Sequence, residues 1–181
     1  MKEIIFAGFG GQGVLTSGLI ISDIAVSYGA NATWIPSYGS AMRGGMANCT
    51  VKYGERFIHN PSQEEPNVLL AMNQLSFNAF SKRVAKDGVI FVSEMVDISE
   101  FARNDVRVIV VPCHQMADEI GHSRGANIVM TGAILKILGD HTLEQGLEAM
   151  GEMFSKKGKS KFAELNAKAM KSGYRFIEEL K

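Results

Sequence analysis

Four glycines stand within six residues, Gly8-Phe9-Gly10-Gly11-Gln12-Gly13, between a short apolar run and a long apolar segment. This placement constrains the fold more than any other feature. Residues 3–7, mostly Ile and Phe, read as a strand. In residues 14–28, Val14, Gly18, Ile21, Ala25 and Tyr28 recur at helical spacing, and Leu15, Leu19, Ile20 and Ile24 fill the other sides. A helix apolar nearly all round must be buried. Gly29-Ala30-Asn31 ends it, and residues 32–35 read as a second strand. Strand, glycine turn, helix, strand is a βαβ unit, which makes the fold α/β.

The rest of the chain extends this frame. Residues 36–46 form a polar, glycine-rich loop and residues 47–53 alternate as a strand. Gly54-Glu55 predicts a tight turn into residues 56–60, an antiparallel hairpin that would make the sheet mixed. Short strands follow at 67–71 and 89–92, with a helix over 75–84 between them. The Val/Ile run at 106–111 predicts a central strand buried on both faces. Helices are predicted over 112–120, ended by Gly121, and over 126–138, 143–154 and 160–180. The last is amphipathic, with Phe162, Leu165, Ala169, Gly173, Phe176 and Leu180 as its apolar stripe. No repeat or linker interrupts the chain. The expected architecture is a single domain over residues 1–181, three-layer α/β/α around a mostly parallel, mixed sheet.

Composition narrows function. The chain has 181 residues, a length suited to one domain. Lys plus Arg and Asp plus Glu number 19 each, which argues against a phosphate backbone as partner and favours association. The two cysteines, Cys49 and Cys113, cannot by themselves hold a Cys₄ zinc site or an iron–sulfur cluster. Two thiols, 10 methionines and no leader fit a reducing cytoplasm. No apolar stretch of about 18 residues predicts a membrane span.

The glycine turn satisfies G-x-G-x-x-G, and a helix N-terminus behind it favours an anion. The dinucleotide version needs an acidic residue about 20 positions on. Residues 30–37 contain neither Asp nor Glu. Close helix–strand packing is therefore the competing reading, with a phosphate-bearing ligand or a neighbouring chain as the functional one. Gln12 is an unusual choice for a turn. The second candidate is Pro36-Ser37-Tyr38-Gly39-Ser40-Ala41-Met42-Arg43-Gly44-Gly45, an Arg between flexible segments after a strand, suited to carboxylate or phosphate. The two loops are expected to lie side by side. His114 and His122 are eight residues apart and lack carboxylate spacing for a metal pair. Asp118 and Glu119 are adjacent and point to different helix faces. Asn127, near a helix start, suits backbone satisfaction. No nucleophile elbow, Walker lysine or H-E-x-x-H is present, so the chain reads as one subunit of a larger enzyme.

The glycine turn with Val14, the Pro36-Ser37-Tyr38-Gly39 and Arg43-Gly44-Gly45 segments, and the Pro112 to Ala133 block ending Asn127-Ile128-Val129-Met130-Thr131-Gly132-Ala133 occur in an order and at spacings that resemble the gamma subunit of 2-oxoacid:ferredoxin oxidoreductases. The resemblance runs from residue 3 to about 150, and His122 stands where the family pattern has Asn. It implies oxidative decarboxylation of a 2-oxoacid with coenzyme A to acyl-CoA, electrons passing to ferredoxin. Thiamine diphosphate, Mg²⁺ and iron–sulfur clusters would belong to alpha and beta subunits, with a delta subunit as a further candidate, and this chain alone would bind none of them. Gly10, Gly11, Gln12, Gly13, Ser37, Tyr38, Arg43, Gly44, Gly45 and Asn127 would contact coenzyme A or a neighbouring subunit. The resemblance favours 2-oxoglutarate or a branched-chain acid, with pyruvate as a third candidate. A stand-alone nucleotide-binding oxidoreductase and a purely structural adaptor are the alternatives.

Overall fold

The computed structural model describes residues 1–38, 45–62, 65–158 and 162–180, except for the Tyr38 side chain. Strands are β1 (Lys2–Phe9), β2 (Asn31–Tyr38), β3 (Met46–Gly54), β4 (Val68–Ala71), β5 (Val89–Ser93) and β6 (Arg107–Val111). Helices are α1 (Val14–Ser27), α2 (Gln74–Phe80), α3 (Cys113–Glu119), α4 (Ala126–Leu138), α5 (Leu143–Lys156) and α6 (Ala163–Glu179). The sheet order is β2-β3-β1-β4-β5-β6. β1, β4, β5 and β6 are parallel, and β3 runs antiparallel to both its neighbours.

Alternation along the strands divides the core. Ile4, Phe6, Leu70, Phe91 and Ile109 face α1, α3, α4, α5 and α6 in one cluster. Ile5, Ala7, Leu69, Ala71, Ile90 and Val92 face α2 and the segments around Val84, Val96 and Phe101 in another. The three layers are therefore unequal. On the α2 side, β2 and β3 present Thr33, Ile35, Asn48, Thr50 and Lys52 in part to solvent. Among the described residues, no helix is long and apolar enough to cross a membrane.

Three expectations need correction. The hairpin joins β2 to β3, with Asn31 opposite Gly54 and Tyr38 opposite Ala47. Residues 55–60 are irregular, and Phe57, 70 % exposed, has no core to enter. β2 accordingly reaches Tyr38, three residues into the segment expected to be loop. The 106–111 run is not central: β6 is the sheet's edge, and Val110 is 40 % exposed. Along α6 the buried stripe is Asn166, Ala169, Met170, Gly173 and Ile177, whereas Phe162 and Leu180 are exposed. The bounds of α4 agree with the expected 126–138.

Candidate functional site

The parallel strands deliver their carboxyl ends to one edge, where open α/β sheets hold ligands. α1 follows β1 and packs on the β3 and β2 side of the sheet, while α2 follows β4 on the opposite face. The chain thus leaves β1 and β4 in different directions, and the crevice between them is the topological switch point.

Gln12 occupies that crevice. Its Oε1 accepts from the Phe9 backbone N–H at 2.7 Å and from Asn73 Nδ2 at 2.9 Å. Its Nε2 donates to the Met72 carbonyl at 3.3 Å. Asn73 also caps α2 by accepting from the Ser76 N–H at 2.9 Å. The long amide is therefore a bracket between β1 and β4, and its polar atoms serve the protein. Gln12→Ala leaves the half-buried Phe9 N–H without this acceptor. The variant is expected to lose about 1–3 kcal/mol, read as a lower urea midpoint at unchanged slope.

Gly13 and Asn127 form a second bracket. Gly13 takes the left-handed conformation, φ 74°, at the N-cap of α1. The Asn127 side chain, 7 % exposed, donates to the Gly13 carbonyl at 3.2 Å. Ser17 Oγ donates to the Asn127 carbonyl at 3.1 Å, tying the start of α1 to the start of α4. Asn127 thus takes the backbone-satisfying role.

With the crevice filled, open space lies on the other flank of the turn. A cavity of about 560 Å³ is lined by Phe9, Gly10, Gly11, Gly13, Leu15, Thr16, Trp34, Pro36 and Ala47, among others. Among the described residues no side chain caps the α1 N-terminus there, which leaves its first-turn N–H groups and the helix dipole available to a ligand. The Gly10 N–H donates to the Gly45 carbonyl at 2.9 Å, so the turn meets the Gly45 end of the second segment. Ser37 is exposed at the end of β2. Arg43, Gly44 and the Tyr38 side chain lie outside the described residues.

The two cysteine thiols are both held protonated. Burial pushes the Cys49 thiol up to about 12, outweighing the opposing influence of the nearby Trp34 indole and Gly18 backbone. Burial, and then the charge of Glu94, raise the Cys113 thiol. Thiols held protonated are poor nucleophiles. His122 Nε2 pairs with Asn166 Oδ1 at 2.9 Å and stacks on Phe162. The sequence reading missed Glu94, whose carboxylate meets Cys113 and His114 across the β5–β6 edge.

Comparison with known proteins places the chain. A family model described as pyruvate ferredoxin/flavodoxin oxidoreductase matches residues 3–176, and the chain belongs to this family. Ketoisovalerate oxidoreductase subunit VorA of Methanothermobacter thermautotrophicus is 34% identical over 177 residues, covering 98% of this chain and 36% of VorA. The chain thus spans about a third of that relative. The 2-oxoglutarate synthase subunit KorC of Methanocaldococcus jannaschii is 30% identical over 182 residues, covering 99% of this chain and 95% of KorC. The gamma subunit of a keto/oxoacid ferredoxin oxidoreductase from Geobacter sulfurreducens superposes with a TM-score of 0.81 at 25% identity, covering 98% of this chain and 99% of that one. A 2-oxoglutarate:ferredoxin oxidoreductase from Magnetococcus marinus, solved with 2-oxoglutarate, coenzyme A and succinyl-CoA bound, shares the fold. Its TM-score is 0.84 at 21% identity, covering 99% of this chain and 31% of that one. The family agrees with the resemblance carried by the three ordered motifs.

Proposed function

We propose that this chain is the gamma subunit of a multisubunit 2-oxoacid:ferredoxin oxidoreductase, and that its glycine-turn edge receives part of coenzyme A. The observation that carries the reading is the bond from the Gly10 N–H to the Gly45 carbonyl. It brings the turn against Gly45, beside the cavity lined by Gly10, Gly11, Gly13, Trp34 and Pro36. Coenzyme A offers what such a cavity suits: phosphates for N–H groups and Arg, and apolar surface for Trp34 and Leu15. Gly10, Gly11, Gly13, Ser37, Tyr38, Arg43, Gly44 and Gly45 are the contact candidates. Gln12 and Asn127 hold the turn in shape.

The reading leaves thiamine diphosphate, Mg²⁺ and iron–sulfur clusters to alpha, beta and, where present, delta subunits. Within this chain, Cys49 and Cys113 are both buried, Cys49 in β3 and Cys113 at the start of α3. Two thiols so placed do not fit a cluster. The 34% identity to VorA, against 27% to the pyruvate synthase subunit PorC of Thermotoga maritima, supports a branched-chain acid as substrate, and KorC subunits at up to 32% keep 2-oxoglutarate beside it. A cytoplasmic complex fits this reading.

A stand-alone dinucleotide enzyme is disfavoured by topology. In that fold the strand after the first helix lies beside β1. Here β3 intervenes, which sets β2 about 10 Å from β1.

The test uses the complex purified from its native cells through a tag on this chain and assayed with a panel of 2-oxoacids for coenzyme A-dependent viologen reduction. Arg43→Ala is expected to raise the KM for coenzyme A about 10-fold or more with kcat nearly unchanged, as loss of a charge-assisted contact would. An unchanged KM in an intact complex would leave the chain as an adaptor. A monomer without partner subunits would end the subunit reading.

A further inference from the structure

Among the described residues, one cluster of ligating side chains lies outside the glycine-turn site. Glu94 follows β5, and Cys113 and His114 open α3 after β6, the next strand. Glu94, Cys113 and His114 bring one carboxylate oxygen, one sulfur and one imidazole nitrogen within 4.8 Å of one another.

We propose that these three side chains bind a divalent cation of the zinc class, with a fourth position open toward solvent. The geometry carries the assignment. Cys113 Sγ lies 3.5 Å from Glu94 Oε2 and 3.6 Å from His114 Nδ1, and His114 Nδ1 lies 3.2 Å from Glu94 Oε2. Zinc bonds of about 2.3 Å to sulfur and about 2.0–2.1 Å to nitrogen or oxygen, at the tetrahedral angle, give sulfur edges of about 3.5 Å and a nitrogen–oxygen edge of about 3.3 Å. The three atoms thus already stand close to the corners of one tetrahedral face.

The carboxylate is held for this role. Glu94 Oε1 accepts the backbone N–H groups of His114 and Gln115 at 3.0 and 3.2 Å, which fixes the group and directs Oε2 at the other two donors. Such outer contacts orient metal ligands. Cys113 is buried beneath, while the side chains of Glu94 and His114 keep 28 % and 37 % of their exposure. A cation would enter from solvent over the sulfur and keep a water, or a group from a neighbouring molecule, as its fourth ligand. One thiolate, one imidazole and one carboxylate select a borderline-soft ion over magnesium or calcium. On binding, the Cys113 S–H bond breaks, its proton passes to solvent, and the sulfur lone pair goes to the metal.

The test is a titration of the full chain, stripped with chelator, with Co²⁺ at neutral pH. We expect one equivalent to give a sulfur-to-cobalt charge-transfer band and the intense visible bands of four-coordinate cobalt, both erased by Zn²⁺. Cys113→Ser should lose the charge-transfer band, and Cys49→Ser should keep it. His114→Gln changes a half-exposed side chain and leaves the Glu94 contacts to the backbone in place. It should weaken cobalt binding about 100-fold or more, beyond the range of outer-contact losses, and carries the test if Cys113→Ser does not fold. Absence of a saturable cobalt spectrum in protein of native circular dichroism would overturn the site. So would a spectrum that survives both Cys113→Ser and His114→Gln.

Discussion

Gly173→Ala is expected to destabilise the chain by about 3 kcal/mol, read as a lower urea midpoint of the purified protein. α4 and α6 make the most extensive helix–helix contact in the fold. They cross at Gly132 and Gly173, with the backbones touching. A Cβ on Gly173 would overlap the Val129 carbonyl, and the Ala133 nitrogen lies 3.1 Å from the same point. One on Gly132 would overlap the Met170 carbonyl. These obstacles are backbone atoms, so no side-chain rotation relieves them. The helices must separate, and Ala169, Met170 and Ile177, now buried against α4, lose contact. The intrinsic helical gain of alanine over glycine, about 1 kcal/mol, works in the opposite direction and is too small to win. Gly151 in α5 provides the control. Nothing lies within 4 Å of its would-be Cβ. Gly151→Ala should raise stability by about 0.5–1 kcal/mol through the same propensity term. Equal midpoints for Gly173→Ala and the parent would mean that the crossing is looser than this geometry.

The contrast between these two glycines shows where sequence reading reaches its limit. Both sit in helices, and only the neighbour across space separates them. The α6 stripe went astray for the same reason. Gly173 meets α4, so the residues beside it at helical spacing, Asn166, Ala169, Met170 and Ile177, are the buried ones. Apolar content favoured Phe162 and Leu180, and it hid Asn166, whose amide oxygen meets His122. The apolar completeness of α1 and α4 was legible because it needs no partner to interpret. The Val/Ile run of β6 was legible as a strand but not as an edge, since position in a sheet depends on how other strands are ordered. The glycine turn was legible as the link between β1 and α1. The bracket that Gln12 makes was not, because its partners Met72 and Asn73 lie some 60 residues on. Glu94 carried no local signal at all. The pairing of Ser93 with Val111 is what brings it opposite Cys113 and His114.

The second large effect is expected at the turn itself, where Gly13→Ala should cost about 3 kcal/mol and Gly11→Ala about 1. Both glycines have positive φ, 74° at Gly13 and 106° at Gly11, so an added Cβ strains either backbone. Their surroundings differ. A Cβ on Gly13 would stand 2.6 Å from the Asn127 carboxamide carbon. Asn127 would have to move, giving up its bond to the Gly13 carbonyl and disturbing its link to Ser17. Among the described residues nothing lies within 4 Å of a Cβ added to Gly11, and the residue is exposed. The pair therefore separates shape from contact. Gly13→Ala should lower the urea midpoint sharply and impair the turn in any assembly. Gly11→Ala should leave the isolated chain nearly as stable, yet place a methyl group on the open side of the turn. If that side meets coenzyme A or a neighbouring subunit, Gly11→Ala should raise the KM for coenzyme A or weaken assembly out of proportion to its small loss of stability. A Gly11→Ala complex with parental KM and parental assembly would remove the exposed tip of the turn from the contact surface and leave the glycines there as packing alone.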